Sequence, residues 1–314
     1  MEYVSVIGYV APALDRRPIN QLATEARAHG YEDLHRRSTA DVVRAVVGGH
    51  DEVVPAVLAA TPAIGELAEA AAALLDAGGR VIYAGAGSAG RIAALDASEW
   101  APTFGVPVGT VVALLAGAAE TPGSAAEAAA EDDAAGGAAD MAALDPRPVD
   151  LCIGVSASGR TPYVLGAIAS AVQAGARVGA VTCQPGSTLG RLADHAVEVP
   201  VGPEVVAGSS RLKAGTAQKL VLNAFSTAVM VRRGRVLGNL MVGMRVSNQK
   251  LRARALAVCV AATGCDEVAA REALDAAGWA LDVAVVALVR AIDVDAARAP
   301  LAATGGHVPE ALGL

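Results

Sequence analysis

Five short apolar runs, at residues 80–84, 111–116, 150–155, 177–182 and 196–199, alternate with segments of helical length. Near-continuous apolar strands separated by helices indicate a parallel sheet covered on both faces, since each strand must bury two sides and each return crossover needs a helix. Sheets of this kind hold ligands beyond the C-terminal ends of their strands. The loops that leave the strands are therefore where chemistry is expected. An apolar share of 54% in 314 residues supports a sizeable core and excludes intrinsic disorder.

Around that core, residues 1–60 read as an irregular and then helical segment, 61–263 as the α/β domain, and 264–314 as a small helical module. Ser38-Thr39-Ala40-Asp41 sets a hydroxyl at a helix N-cap with an acid near its third position. A long Ala-rich helix over 61–77 stops at Gly78-Gly79. Helices are expected over 211–231 and 246–262, then three short ones over 267–277, 281–291 and 294–304. The Ala-rich tract 124–143 reads as one more helix.

Several function classes fall away. Lys and Arg number 25 against 32 Asp and Glu, a net charge of 25 − 32 = −7, which opposes binding to a nucleic-acid backbone. Aromatics at 3% leave little for base stacking. The apolar runs break before the roughly 18 residues that a membrane span needs, and Met1-Glu2-Tyr3 begins no recognisable leader. Cys152, Cys183, Cys259 and Cys265 lack C-x-x-C spacing and read as small buried hydrophobes of a reducing cytoplasm. His29, His35, His50, His195 and His307 are dispersed, so no metal site is expected.

Two loops have the chemistry of anion sites. Gly85-Ala86-Gly87-Ser88-Ala89-Gly90-Arg91 follows the first strand and fits G-x-G-x-x-G. The acid that a dinucleotide fold needs about 20 residues later is missing: that region holds Gly109 and Thr110, and the next acid is Glu120. Ser156-Ala157-Ser158-Gly159-Arg160-Thr161-Pro162 follows the third strand, with Pro162 placed for the first turn of a helix. Hydroxyls, a glycine and free backbone N–H groups at a helix N-terminus attract a phosphate. If the two strands are neighbours, the loops can embrace one phosphorylated ligand. The candidate phosphate contacts are Gly87, Ser88, Ala89, Gly90 and Arg91 in the first, and Ser156, Ser158, Gly159, Arg160 and Thr161 in the second.

At this point the chain resembles a known family. Strand, Ser-rich turn, helix is the pattern of the sugar isomerase (SIS) phosphosugar-binding domain. Beyond that, Gly85 to Arg91 with Leu95-Asp96-Ala97-Ser98-Glu99, the Ser158-Gly159-Arg160-Thr161-Pro162-Tyr163 turn, and Gly208-Ser209-Ser210-Arg211-Leu212-Lys213-Ala214-Gly215-Thr216-Ala217-Gln218-Lys219 resemble the N-acetylmuramic acid 6-phosphate etherases. The likeness runs from about residue 35 to the end. It implies a three-layer SIS-type α/β fold with a five-stranded parallel sheet flanked by helices, plus the small C-terminal helical module. It also implies a phosphorylated amino sugar as substrate, no cofactor, and a homodimer with a shared active site.

The implied reaction cleaves the lactyl ether at C3 of the sugar. An ether oxygen leaves poorly without an acid, whereas the C2 proton of the ring-opened sugar lies alpha to an aldehyde and yields to a base. Elimination followed by addition of water at C3 then needs only two carboxyl groups, each worth about 10²–10⁴-fold. The resemblance assigns the acid to Glu99 and the base to Glu131. Ser209, Ser210, Arg211 and Lys213 complete the candidate set. Cations near a helix start oppose its dipole, and a bound carboxylate or phosphate would offset that cost. Departures from the family pattern stand at Ala28, Trp100-Ala101, Ala128 and Gly243, where the family has Asn, Cys-Pro, Glu and Asp. Two other readings use the same loops: a non-catalytic phosphosugar-binding regulator resembling glucokinase regulatory protein, and an SIS-type aldose–ketose isomerase.

Overall fold

The computed structural model describes residue 18 and residues 22–314; the Met1-Glu2-Tyr3 start lies outside them. The chain divides into two compact units, one formed by residues up to Ala97 with Val111–Phe225, the other by Ser98–Thr110 with Ser226–Leu314. In chain order the first unit holds α1 (Thr39–Gly48), α2 (Val53–Ala59), α3 (Thr61–Asp76), β1 (Val81–Gly85), the start of α4 (Gly87–Phe104), β2 (Val111–Leu115), α5 (Ala125–Glu131) and α6 (Ala134–Ala143). There follow β3 (Leu151–Val155), α7 (Pro162–Gln173), β4 (Arg177–Thr182), α8 (Thr188–Leu192), β5 (His195–Glu198) and the start of α9 (Lys213–Arg232).

The sheet has five strands in the order β2-β1-β3-β4-β5, every pairing parallel. The five apolar runs are these strands, and most of their residues are buried because helices cover both faces. On one face Ile82, Ala84, Cys152, Val178 and Ala180 pack with Tyr163, Val164, Ala167 and Ile168 of α7, Met141 of α6 and Leu189 of α8. On the other, α3 lies so close that a Cβ at Gly179 would sit 2.8 Å from Leu67 Cδ1. The chain leaves β1 in one direction to reach β2 and continues on the other side through β3. The crevice of such a sheet opens between β1 and β3, at their C-terminal ends.

Local sequence sets the helix limits. Ser38 accepts the Asp41 N–H and caps α1, and Pro62 opens α3. The Ala-rich tract 124–143 is two helices rather than one. Asp133 turns its side chain onto the Gly136 N–H at 2.8 Å, capping α6 and ending the run that would join it to α5.

The second unit adds a hairpin of β6 (Val236–Leu237) and β7 (Leu240–Met241), then α10 (Gln249–Thr263), α11 (Glu267–Ala276), α12 (Leu281–Arg290), α13 (Val294–Ala303) and α14 (Val308–Leu312). Its core joins Val242, Cys259, Leu274, Val285, Val286 and Leu301, so the compact unit takes in α10 and the hairpin. No single helix among the described residues is long and apolar enough to cross a membrane.

Candidate active site

Pairing of β1 with β3, Gly85 opposite Val155, sets the first and second loops side by side. In the first loop the glycines let the helix begin against the strand it has just left. A Cβ at Gly90 would lie 2.4 Å from Leu115 Cδ1 and 2.7 Å from the Gly85 carbonyl carbon, and Gly87 adopts φ +52°. The first intrahelical bond of α4 runs from the Gly90 N–H to Ala86 O at 3.0 Å. The N–H groups of Gly87, Ser88 and Ala89 consequently have no partner within the helix.

The second loop is held by its own hydroxyls. Ser156 Oγ lies 2.9 Å from Thr161 Oγ1 and 3.5 Å from Ser158 Oγ, and it accepts the Gly159 N–H at 3.1 Å. Ser158 Oγ accepts the Arg160 N–H at 3.3 Å. Gly159 turns the chain at φ +62°, where a Cβ would strike Ser187 Oγ at 2.3 Å. Thr161 is the N-cap of α7, yet its side chain makes no capping bond because Ser156 engages it. The N-terminus of α7 is thus left without a side-chain cap, beside three hydroxyls.

Glu131 stands where the two loops meet. Its Oε2 would be 3.8 Å from a Cβ at Gly87, and the nearby Thr161 hydroxyl favours its charged form. The residue as a whole is exposed, yet protein around the carboxyl removes enough water to push its pKa up. Asp132 and Glu127 push in the same direction, and Thr161 opposes them. The raised pKa makes this carboxylate a stronger base. Arg91, expected at the phosphate, forms an ion pair with Glu127.

The third stretch lies at the same edge of the sheet. Cys183, just past β4, has its Sγ 3.8 Å from Ala214 O, and Gly215 packs against Ile92 of α4. The charge at the start of α9 is already answered from within the chain. Buried Glu204 accepts the Lys213 N–H at 2.9 Å and the Ala214 N–H at 3.0 Å. Lys213 Nζ meets Glu52 Oε2 at 2.6 Å. The offset expected from a ligand thus comes, at Lys213, from two internal carboxylates. Ser209 and Ser210 are half-buried, and Arg211 is exposed just before the helix.

Glu99 is exposed on the second half of α4, and the neighbouring Trp100 is 1% exposed. Asp96 of the same motif anchors α4 to β1, accepting from Tyr83 Oη at 2.8 Å. At Gly243 a side chain would press on Phe104 O at 2.9 Å and Arg235 Cδ at 3.0 Å. Reading the sequence missed Glu127, Glu52 and Ser187. Only Glu127 carried a local signal, the Ser124-x-x-Glu127 spacing of a capping box.

Comparison with known proteins agrees with this architecture. Residues 64–172 match the family described as the glucokinase regulatory protein N-terminal SIS domain, and residues 126–228 match the SIS domain. A protein of Bacteroides fragilis described as a phosphosugar isomerase involved in capsule formation superposes with a TM-score of 0.50 at 19% identity, covering 64% of this chain and 95% of that one. At that identity the likeness concerns the fold alone. An N-acetylmuramic acid 6-phosphate etherase of Rubrobacter xylanophilus is 48% identical over 300 residues, covering 96% of this chain and 98% of its own. One from Cutibacterium acnes is 45% identical over 289 residues, covering 92% and 95%. With loops, sheet and sequence in agreement over nearly its whole length, the chain belongs to the N-acetylmuramic acid 6-phosphate etherase family.

Proposed function

We propose that this protein cleaves the D-lactyl ether of N-acetylmuramic acid 6-phosphate, giving N-acetylglucosamine 6-phosphate and D-lactate. The observation that carries this reading is the Glu131 carboxylate, set between Gly87 of one anion loop and Thr161 of the other with its basicity raised. The phosphate is assigned to the hydroxyls of Ser156, Ser158 and Thr161 and to the uncapped start of α7. The N–H groups of Ser88 and Ala89 are assigned to the sugar's remaining polar edge.

In the ring-opened sugar, Glu131 takes the C2 proton and the electron pair forms the C2–C3 double bond as the C3–oxygen bond breaks. Glu99 supplies the proton to the departing lactyl oxygen. Water then adds at C3 with the two carboxyls exchanging roles, Glu99 taking its proton and Glu131 returning one to C2. Arg211, at the mouth of the third stretch, is assigned to the lactyl carboxylate. We assign the work to a homodimer whose subunits share the site, acting in a reducing cytoplasm where the four cysteines stay as free thiols.

Incubation with N-acetylmuramic acid 6-phosphate, followed by assay of D-lactate, tests the reading. Release of stoichiometric lactate and N-acetylglucosamine 6-phosphate is expected. Binding of the phosphosugar without lactate release would overturn it in favour of a regulator.

A further inference from the structure

The helix that carries Glu131 cannot orient itself. Helix α5 has the sequence Ala-Ala-Glu-Ala-Ala-Ala-Glu, seven residues in which only Glu127 and Glu131 extend beyond Cβ. A helix this short is unstable alone, and its direction is set by tertiary anchors. Glu127 is the anchor the structure provides. Its side chain is 11% exposed and joined to Arg91 of α4 through an ion pair. Its second carboxylate oxygen takes the Gly123 N–H, and its own N–H goes to Ser124 Oγ at 3.1 Å. The end of β2 closes over it: a Cβ at Gly117 would stand 3.0 Å from Glu127 Cα and 3.3 Å from its Cγ. Glu127 and Glu131 are four residues apart, hence on one face of the helix.

We propose that Arg91 and Glu127 are a positioning pair that fixes the Glu131 carboxylate against the reacting carbon, and that Arg91 serves this purpose rather than holding the phosphate. The proposal rests on the reading of Glu131 as the base. Arg91 belongs to the first turns of α4, the helix whose N-terminus flanks the crevice, so the pair ties the first anion loop to the helix that bears the base. The charged neighbours of Glu131 are Asp132, next in the chain, and Glu127, one turn back; the start of α7 presents the neutral Thr161 hydroxyl. Arg91 reaches this group by neutralising Glu127.

The test measures exchange of the sugar C2 proton with deuterium from solvent, as kcat and KM across pH, in the full-length protein. Glu127→Gln keeps size and hydrogen bonding while removing charge and the ion pair. Arg91→Met leaves Glu127 unneutralised, and Arg91→Lys keeps the cation. In Glu127→Gln and Arg91→Met, kcat is expected to fall about 10–100-fold, with KM changed less than about threefold. The acid limb of the kcat profile moves to lower pH in Glu127→Gln and to higher pH in Arg91→Met, by a few tenths of a unit to about one unit. A purely structural pair would move both limbs the same way or neither. Arg91→Lys is expected to return the limb to its wild-type position.

An unchanged kcat with KM raised tenfold or more in Arg91→Met would make Arg91 a phosphate contact and overturn the proposal. So would an acid limb that does not move in Glu127→Gln, a variant whose near-identical shape spares the fold. Exchange that persists in Glu131→Ala removes Glu131 as the base. That result concerns the underlying reading and is separate from either outcome for the pair.

Discussion

The difference between Glu131 and an ordinary surface glutamate is water and charge. Loss of solvent around its carboxyl, with Asp132 and Glu127 nearby, raises its pKa above the usual 4.5. In the role of base proposed for it, Glu131 must be ionised, so activity is expected to be lost as pH falls through this raised value. The acid limb of kcat is therefore expected above about pH 4.5, and Glu131→Gln should abolish C2 exchange while phosphosugar affinity stays within a few-fold. Gly159 answers to a different constraint, its φ of +62° and Ser187 Oγ lying 2.3 Å from any added Cβ. Gly159→Ala is expected to cost about 2–4 kcal/mol of stability and to weaken phosphosugar binding. Thermal unfolding with and without ligand measures both effects.

At the scale of elements, three helices begin at the edge where the strands end, and their first turns are treated differently. That of α7 has no side-chain cap and the ladder of α4 begins only at the Gly90 N–H, whereas the start of α9 is occupied by Glu204. Glu204 is fully buried, so its removal leaves two buried donors unpaired. Glu204→Ala is expected to destabilise the fold by about 2–4 kcal/mol, and Glu204→Gln by less because one acceptor remains. Urea denaturation of the two variants checks the ranking. The uncapped start of α7 and its neighbouring hydroxyls belong together: Ser156 holds Thr161 at 2.9 Å and so keeps it from capping the helix.

For the whole molecule, the base of the sheet carries a charge clamp opposite the reactive edge. Asp150 is fully buried at the start of β3. It accepts from the Arg80 N–H at 2.8 Å and the Arg147 N–H at 3.0 Å, and pairs with both guanidinium groups at 2.6 and 2.9 Å. Desolvation alone would raise its pKa, but the hydrogen bonds from Arg80 and Arg147 outweigh it and hold the carboxyl at about 2. A carboxyl depressed in the folded state stabilises the fold fully above its unfolded pKa near 3.9, and that stability drains away as pH falls towards 2. With both arginines partly exposed, the contribution is about 1–2 kcal/mol. Asp150→Asn should lower stability at pH 7 by at least that amount, because two arginines lose their partner. It should also flatten the fall in stability between about pH 4 and pH 2, followed by circular dichroism.

The strands, most helix limits and the two Gly- and Ser-bearing loops after β1 and β3 were legible in the sequence because each is set locally. Continuous apolar runs mark buried strands, Ser38 and Pro162 mark helix starts, and the Ser156 to Thr161 turn is chemically unusual along the chain itself. The break at Asp133 was less legible, since a tract of alanines gives no periodicity against which one capping aspartate stands out. What only the tertiary structure decided is who meets whom. Arg91 reads in sequence as a cation beside a glycine loop, and only the fold shows that Glu127, 36 residues away in sequence, lies beside it. Lys213 reads in sequence as a cation near a helix start, and only the fold brings Glu52, 161 residues away, to its Nζ. Charge acts through space at a few ångströms, so sequence supplies the charged groups and only folding selects their partners.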